Sequence, residues 1–210
     1  MGAADQTRRF DRLLRLITDR NWLAEAARTV LASKGANTPA LDGMDKRRLA
    51  AVLERHLDRL RVALLDGTCR PTPVKRIHIP KTNGKLGIPI LLDRIVQRAV
   101  LMAMEPIWES DFHSGSYGFR PERSVHHAVR TVRMQSQDAS DSKGRWIIEG
   151  DLASYFDTVH HQLLLKCVRR RIRNLRFIDL LWRILKAGDV ERGLFFAASE
   201  GVPQGGVLAP

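Results

Sequence analysis

Two aspartates beside an aromatic residue are the part of the sequence whose types and spacing most suggest chemistry. The apolar residues 146–148 predict a short buried strand that delivers Asp151 to its end, with Phe156 and Asp157 following at once. A carboxylate at a strand end, among many cations, suits a divalent metal ion that must meet a polyphosphate. Apolar strands that end in Asp are also common in α/β proteins without such a site, so both interpretations stay open.

A basic β-hairpin is the element that would bring positive charge to such a phosphate. Alternation over Val74–Ile79 predicts one strand, and residues 86–92 predict the second. Asn83 and Gly84 between them predict a tight turn, because both turn positions need positive φ. The hairpin carries the cations Lys75, Arg76, Lys81 and Lys85. It either closes over a triphosphate or forms a solvated edge hairpin protected by its lysines.

The composition is strongly basic. The 210 residues include 35 Lys and Arg against 23 Asp and Glu, a net charge of +12, with a pI near 10.6. Arginine dominates, and its planar guanidinium favours bidentate contact with phosphate. This balance indicates a nucleic-acid partner, although a merely basic soluble protein has the same composition. The densest run, residues 166–176, holds six cations and no acid. It predicts either a solvated helix face or contact with a phosphate backbone.

Length and cysteine usage narrow the class of protein. A chain of 210 residues can bury a core of one large domain or two small ones. No apolar run approaches the roughly 20 residues that span a bilayer, and the N-terminal residues lack the apolar stretch of a secretory signal. Cys69 and Cys167 form neither a disulfide framework nor a metal cluster. We therefore expect a reduced, cytoplasmic protein with no membrane association.

Helical spacing dominates the first 70 residues and the region after Asp157. An amphipathic helix is predicted over residues 10–17, and a longer one begins after Asp45 as its cap and ends at Gly67. Two helices and a short strand at residues 194–198 follow Asp157. The sequence closes on an apolar Val-Leu-Ala-Pro, which predicts an element that continues beyond Pro210.

The middle of the chain predicts two further helices. Asp93 is the expected N-cap of the first, which ends near Pro106. The second turns Val125, Val129 and Val132 inward. The order of elements indicates an α+β fold rather than regular βαβ units.

Five blocks of the sequence, in order over residues 33–210, carry a resemblance to one protein family. The first block is Lys34-Gly35-Ala36 through Leu41-Asp42-Gly43, and the second is Ile79-Pro80-Lys81 through Pro89 with Asp93-Arg94-Ile95-Val96-Gln97. The others are Tyr117-Gly118-Phe119-Arg120-Pro121 through Ala128, Asp151 to Asp157, and the Pro-Gln-Gly block from Gly201 to Pro210. In this order the blocks resemble the N-terminal part of a bacterial group II intron reverse transcriptase.

The resemblance implies a right-hand polymerase. It places an N-terminal helical extension at residues 1–70, fingers at 71–144, and a partial palm with antiparallel strands at 145–210. The implied activity is RNA-directed DNA polymerisation that supports intron mobility and splicing. The implied partners are an RNA template, a DNA primer, the intron RNA and a dNTP.

The same resemblance implies the chemistry of the palm. Asp151 is the first metal-binding carboxylate, and the main-chain carbonyl of Leu152 completes the shell. Two Mg²⁺ ions about 3.5–4 Å apart would lower the pKa of a primer 3′-hydroxyl and stabilise the leaving pyrophosphate. Phe156 matches a sugar gate, in which an apolar ring leaves a 2′-hydroxyl neither room nor a partner. The alternative role for Phe156 is plain core packing.

The remaining site residues also follow from the resemblance. Lys81 matches the lysine that reaches the triphosphate, and Lys85 is a second cation, although the segment before Leu86 is short and lacks the family's arginine. Arg120 resembles a template-side or triphosphate-side contact, or else is buried against a carboxylate or carbonyls. Gln204 lies near the incoming nucleotide. The expected nucleic-acid contacts are Arg76, Arg123, Arg169, Arg170, Gly205 and Gly206.

The main departure from the family pattern is a missing motif. The 210 residues contain no Tyr-Ala-Asp-Asp segment, which would supply the other carboxylates, so the chain is predicted to be incomplete and inactive alone. Two alternatives stay open. One is an RNA-binding, maturase-type module without polymerase activity, and the other is a related bacterial reverse transcriptase of a defence or diversity-generating system.

Overall fold

The computed structural model describes residues 8–79, 84–137, 146–202 and 205–208. The helices are α1 (Leu13–Ile17), α2 (Arg20–Ala32), α3 (Lys46–Ala51), α4 (Leu53–Asp66), α5 (Leu91–Glu109), α6 (Val125–Gln137), α7 (His161–Arg171) and α8 (Leu175–Leu185). The strands are β1 (Val74–Ile79), β2 (Gly84–Ile88), β3 (Asp189–Glu191) and β4 (Leu194–Phe196). Short 3₁₀ turns lie at Lys34–Asn37 and Tyr155–Asp157. These elements confirm the predicted α+β class.

The core forms around α5. Its buried apolar side chains recur at helical spacing: Leu91, Ile95, Val96, Ala99, Val100, Ala103 and Ile107. They join one continuous cluster with buried residues of α1, α2, α7 and α8. Each fully buried Leu, Ile or Val side chain contributes about 1.5–3 kcal/mol. The cluster draws on all three of the domains expected from the sequence, whose boundaries stay a prediction. Within the described ranges, none of the helices is long and apolar enough to cross a membrane.

The start and end of α5 differ from the sequence-based prediction. The helix begins at Leu91, so Asp93 lies inside its first turn instead of capping it. Asp93 is buried, and its Oδ2 accepts a hydrogen bond from the main-chain N–H of Thr72 at 2.7 Å. Pro106 lies within the last turn of the helix, not at its end. The helix continues for three residues beyond Pro106, although a proline has no N–H to donate to the carbonyl of Met102 one turn earlier.

The helix predicted between Asp45 and Gly67 is divided in two. Asp45 does cap α3, with its carboxylate accepting from the main-chain N–H of Arg48, and Gly67 ends α4 at a φ of +70°. Val52 interrupts the helix at φ −130° and ψ +16°. The apolar stripe survives the break, since Leu49 and Leu57 on either side of it are both buried.

A four-stranded mixed sheet has the order β2-β1-β3-β4. The hairpin of β1 and β2 is confirmed as antiparallel, although β2 ends at Ile88, before α5 begins. β3, which the sequence did not predict, pairs in parallel with β1 and antiparallel with β4. β3 and β4, the strands after α8, therefore form an antiparallel pair. The parallel pairing of β3 with β1 connects this pair to the hairpin.

Two apolar segments predicted to be buried are exposed. Trp146, Ile147 and Ile148 form no strand, and their exposed fractions are 95%, 87% and 96%. Val125, Val129 and Val132 on α6 are also exposed. A strand needs a neighbour for its main-chain hydrogen bonds, and none of the four described strands pairs with residues 146–148. The prediction of a buried strand is wrong for the described part of the chain.

Asp93 predicts a pH dependence of stability. Burial raises its pKa from 3.8 to about 6, and the hydrogen bonds from Thr72 oppose this only in part. The folded state therefore holds this proton more tightly than the unfolded state, so stability falls as pH rises from about 4 through 6. Asp93→Asn keeps an acceptor for Thr72 and removes the titration. Relative to wild type, the variant should gain up to about 3 kcal/mol between pH 4 and pH 7.

The measurement is the free energy of unfolding in urea at several pH values. Asp45→Asn, at an exposed helix cap, is the control for the loss of one carboxylate. A constant difference between Asp93→Asn and wild type across this range would contradict the raised pKa of Asp93.

Candidate functional site

Asp151 lies in an irregular surface segment, and its carboxylate is open to solvent. Its Oδ1 accepts a hydrogen bond from the main-chain N–H of Leu152 at 2.9 Å. Ser154, at φ +50°, then turns the chain into the 3₁₀ turn that carries Phe156. The contact of Asp151 is local, so the carboxylate keeps acceptor capacity for a ligand.

A Mg²⁺ site needs several converging oxygen ligands. In the ranges that the structure describes, no group of three or more His, Cys, Asp or Glu could hold a metal ion. Asp157 lines a separate cleft, which does not include Asp151. The exposed carboxylate of Asp151 therefore fits one part of a metal site, the role of the Leu152 carbonyl stays a prediction, and the described residues do not complete the site.

The Phe156 turn, residues 154–159, is joined by its main chain to the glycine segment, residues 201–208. The N–H of Val202 donates to the carbonyl of Phe156 at 2.7 Å, and the N–H of Gly201 donates to the carbonyl of Val159 at 2.8 Å. The Phe156 ring is half-buried and meets the ring of Tyr155 edge-on at 5.4 Å. The structure thus brings together two blocks that the sequence predicted to act on one nucleotide.

Glycine at position 201 is required by the contact with the Phe156 turn. Gly201 has a φ of +79°, and a Cβ there would lie 2.7 Å from the carbonyl oxygen of Asp157. A residue with a Cβ rarely adopts that φ. The clash would be with a main-chain atom, which cannot rotate away as the end of a side chain can.

The far part of the glycine segment is held by the hairpin and α5. A Cβ on Gly205, at φ +98°, would lie 2.5 Å from Cδ1 of Leu86 on β2. The N–H of Val207 donates to Oε1 of Gln97 at 3.0 Å, and Gln97 is buried in α5. Gly206 is buried as well. Gln204 and its neighbour Pro203 lie outside the described residues, so the expected nucleotide contact of Gln204 stays a prediction.

The structure describes only some of the cationic side chains of the hairpin. Lys81 lies outside the described residues, and so does the side chain of Lys85, whose main chain pairs with His78. Arg76 does not extend freely toward a ligand, because its Nη2 lies 3.1 Å from Oδ1 of Asp189 on β3. This ion pair connects two strands of the sheet, so the structure gives Arg76 a partner that the sequence did not predict.

A cleft of about 520 Å³ lies between the hairpin, α8 and the start of the glycine segment. Its charged lining residues are Arg76, Asp157, Asp189 and Glu200. Oδ2 of Asp189 is buried and has no hydrogen-bond partner in the described part of the chain. The cleft opens beside the main-chain contact between the Phe156 turn and Gly201, and its lining is acidic apart from Arg76.

Arg120 shows the second of its two predicted arrangements. Its side chain is 6% exposed and forms an ion pair with Glu109, with Nη2 and Oε1 2.7 Å apart. Nη1 also donates to the carbonyls of His113 and Ser116, each at 2.9 Å. The hydrogen bond from Arg120 lowers the pKa of Glu109. Arg120 thus clamps the loop before α6, and its nitrogens are engaged within the protein.

Arg123 has a similar structural role in the same loop. Its Nη1 donates to the carbonyl of Ser114 at 3.0 Å, and its guanidinium lies 5.5 Å from the centre of the Tyr117 ring. A contact of Arg123 with nucleic acid stays a prediction.

The basic run at residues 166–176 divides into buried and exposed members. Arg171 is buried and pairs with Asp111. Arg169 and Arg170 are exposed, and in the described ranges neither side chain takes part in an ion pair. Main-chain hydrogen bonds between Phe10 and residues 171 and 173 bring the N-terminal arginines beside this end of α7. Two basic runs that are far apart in sequence therefore meet on one surface.

Sequence reasoning missed two residues of the site. His161, in the first turn of α7, lies with Nε2 2.6 Å from the carbonyl oxygen of Gly201. Lys186, just after α8, donates from Nζ to the carbonyls of Ala198 at 2.8 Å and Ser199 at 3.2 Å. No local sequence pattern predicts either contact. His161 and Gly201 are 40 residues apart, and the strands β3 and β4 separate Lys186 from Ala198 and Ser199.

The N-terminal block of the sequence is attached to the same framework. Arg94 on α5 donates from Nε to the carbonyl of Pro89 and from Nη1 to the carbonyl of Gly35, both at 2.9 Å. The block around Gly35 is therefore fixed next to the entry into α5.

Comparison with known proteins gives consistent matches. A sequence model of the family described as reverse transcriptase (RNA-dependent DNA polymerase) matches residues 79–210. The chain is 64% identical over 212 residues to protein YkfC of Escherichia coli (strain K12), across 100% of this chain and 56% of YkfC. It is 33% identical over 210 residues to the group II intron-encoded protein LtrA of Lactococcus lactis subsp. cremoris, across 96% of this chain and 33% of LtrA.

A solved structure supports the fold. A chain described as part of a partial Cas6-RT-Cas1–Cas2 complex matches with a TM-score of 0.59 at 19% identity, over 94% of this chain and 32% of that chain. The chain thus spans about half the length of YkfC and a third of LtrA.

Gly201→Ala should destabilise the protein by more than the backbone conformation alone explains. The control is Gly193→Ala, because Gly193 has a similar φ of +82° and open space around its Cβ position. Gly193→Ala should cost about 1 kcal/mol, and Gly201→Ala at least about 2 kcal/mol more, because the main chain of the Phe156 turn must move. Urea unfolding of both variants measures the difference. Equal losses would show that the two segments do not pack as described.

Proposed function

This chain belongs to the reverse transcriptase (RNA-dependent DNA polymerase) family, among the group II intron-encoded reverse transcriptases and maturases, and we propose that the protein containing it copies RNA into DNA. The reaction is nucleotidyl transfer from a dNTP to the 3′-hydroxyl of a primer. The chain supplies the fingers and the first part of the palm. The observation that carries the proposal is the hydrogen-bonded contact between the Phe156 turn and the glycine segment.

The proposed role of Asp151 is that of a metal ligand. Reverse transcriptases generally use Mg²⁺, which when bound activates the primer hydroxyl and stabilises the leaving pyrophosphate. The exposed carboxylate of Asp151 fits one side of such a site, and the carbonyl of Leu152 would add a second oxygen ligand. The other ligands would come from outside the described residues, so we expect the 210-residue chain alone to be inactive.

Phe156 would exclude ribonucleotides. An aromatic ring against C2′ of the sugar offers a 2′-hydroxyl no hydrogen-bond partner and no room. The N–H of Val202 donates a hydrogen bond to the carbonyl of Phe156. This bond fixes the main chain that carries the half-buried Phe156 ring. A fixed ring discriminates better than a mobile one, because it cannot retreat from the extra oxygen.

The basic surface at the end of α7 would bind the RNA backbone. Arg169 and Arg170 are exposed, and the bridge between Phe10 and Ile172 brings the N-terminal basic segment alongside. Exposed arginines bind phosphates by releasing counterions, so this contact would be strongly salt-dependent. The proposed partners are the RNA template, the DNA primer and the intron RNA.

A second candidate function is RNA binding by a maturase-type module without polymerisation. The observation that favours it is the incomplete set of metal ligands among the described residues, together with the exposed cations of α7. Both candidates predict RNA affinity, and only the first predicts that Asp151 matters for chemistry.

Two variants of the full-length protein that contains this chain separate catalysis from RNA binding. Asp151→Asn keeps the acceptor for the N–H of Leu152 and removes the negative charge. It should lower primer extension at least about a hundredfold and leave RNA affinity unchanged. The double variant Arg169→Gln with Arg170→Gln should weaken RNA binding and reduce its salt dependence by about one counterion for each phosphate that it no longer binds.

Primer extension with dNTP and RNA affinity at several salt concentrations are the two measurements, with the purified 210-residue chain as a third sample. A parallel loss of RNA affinity in Asp151→Asn would make Asp151 structural. Full primer extension by Asp151→Asn, or by the 210-residue chain alone, would contradict the proposed role of this site.

A further inference from the structure

Neither of the two main-chain hydrogen bonds between the Phe156 turn and the glycine segment uses the carbonyl of Gly201. Gly201 uses its N–H to reach Val159, and its carbonyl oxygen points the other way, toward α7. His161 lies there with Nε2 2.6 Å from that oxygen. Gly201 is thus held from both sides, by the Phe156 turn and by α7.

Only one nitrogen of the His161 ring forms a hydrogen bond in the described part of the chain. The residue is 2% exposed, and its ring meets the Trp182 ring edge-on at 6.2 Å. A carbonyl oxygen only accepts, so Nε2 carries the hydrogen in this bond. Nδ1 is buried and has no partner in the described part of the chain. The imidazole is therefore committed to a single hydrogen bond, and that bond orients Gly201.

The neighbouring contacts hold the same segment but do not replace His161. Lys186 binds the carbonyls of Ala198 and Ser199, ahead of Gly201, and Gln97 binds the N–H of Val207, after it. Between these two anchors, His161 is the described side chain that hydrogen-bonds to Gly201.

We propose that His161 is a positioning residue for the nucleotide site, which acts through Gly201 on both the Phe156 turn and the glycine segment. It touches no substrate. It fixes the position of Gly201 against the Phe156 turn, which carries the ring that would face the sugar, so it sets how well the site separates dNTP from rNTP. The predicted effect on nucleotide selectivity rests on the proposed function. The hydrogen bond between His161 and Gly201 rests on the structure alone.

Two substitutions at position 161 separate the hydrogen bond from the packing. His161→Leu fills a similar volume and cannot donate, whereas His161→Gln places an amide N–H close to the position of Nε2. Leu180→Ala, on α8, is the control for a general loss of stability, because Leu180 is buried and lines a different cavity, which neither Gly201 nor Val202 lines.

The first readout is amide hydrogen exchange in the 210-residue chain. His161→Leu should speed exchange at the N–H groups of Gly201 and Val202 about tenfold or more, and His161→Gln should preserve most of the protection. Leu180→Ala should leave the ratio of the exchange rates of these two amides to those of the core amides of α5 unchanged. Identical protection in His161→Leu and Leu180→Ala would overturn the proposal.

The second readout is single-nucleotide incorporation by the full-length protein that contains this chain. His161→Leu should raise KM for dATP about tenfold and lower the preference for dATP over ATP, with a smaller effect on kcat. His161→Gln should restore both. If wild type incorporates neither nucleotide, the proposed function fails, and the exchange experiment still decides the role of His161. Unchanged KM and selectivity in His161→Leu would refute the positioning role.

Discussion

Two main-chain hydrogen bonds, from Val202 to Phe156 and from Gly201 to Val159, are the constraint on which the site depends. They join segments more than forty residues apart and require no particular side chain except the absence of one at Gly201. Main-chain bonds of this kind fix a distance more firmly than contacts between long side chains, because the groups involved have little rotational freedom. The nucleotide site proposed here is a consequence of that geometry.

α5 helps to position the segments that these two hydrogen bonds join. Its apolar face forms the centre of the core, while Gln97 binds the glycine segment and Arg94 holds the N-terminal block. One helix therefore sets the relative positions of three blocks that are well separated in sequence. Asp93 and Gln97 are both buried in α5, which uses polar side chains inside the core to attach loops that would otherwise move. Each buried polar group is costly unless it is paired, and each of these two has a main-chain partner.

Local signals in the sequence predicted the local features of the structure. The cap at Asp45, the left-handed end at Gly67 and the hairpin of β1 and β2 each depend on a few neighbouring residues. The parallel pairing of β1 with β3 and the ion pair of Arg76 with Asp189 depend on residues more than a hundred positions apart, and no local pattern encodes them. The resemblance to a family predicted correctly that the blocks belong together, but it did not predict the side chains that join them.

The wrong predictions of burial share one physical cause. Apolar spacing shows which face of a segment prefers burial, but not whether a partner is present to cover it. Residues 146–148 have the composition of a buried strand and are exposed, and the same holds for Val125 and Val129 on α6. For Arg120 the sequence left two arrangements open, and the structure shows the one in which Glu109 and nearby carbonyls surround the guanidinium. In each of these cases the tertiary surroundings, and not the residue type, decide the outcome.

The proposed placement of Phe156 against the sugar of an incoming nucleotide is tested most directly by the ratio of dNTP to rNTP incorporation by Phe156→Ala in the full-length protein. Tyr155→Ala, which removes the neighbouring ring of the same turn, is the matched control. We expect Phe156→Ala to lower this ratio at least about tenfold by admitting ribonucleotides, while Tyr155→Ala keeps it near the wild-type value. An unchanged ratio in Phe156→Ala, with incorporation of dNTP intact, would contradict this placement of Phe156.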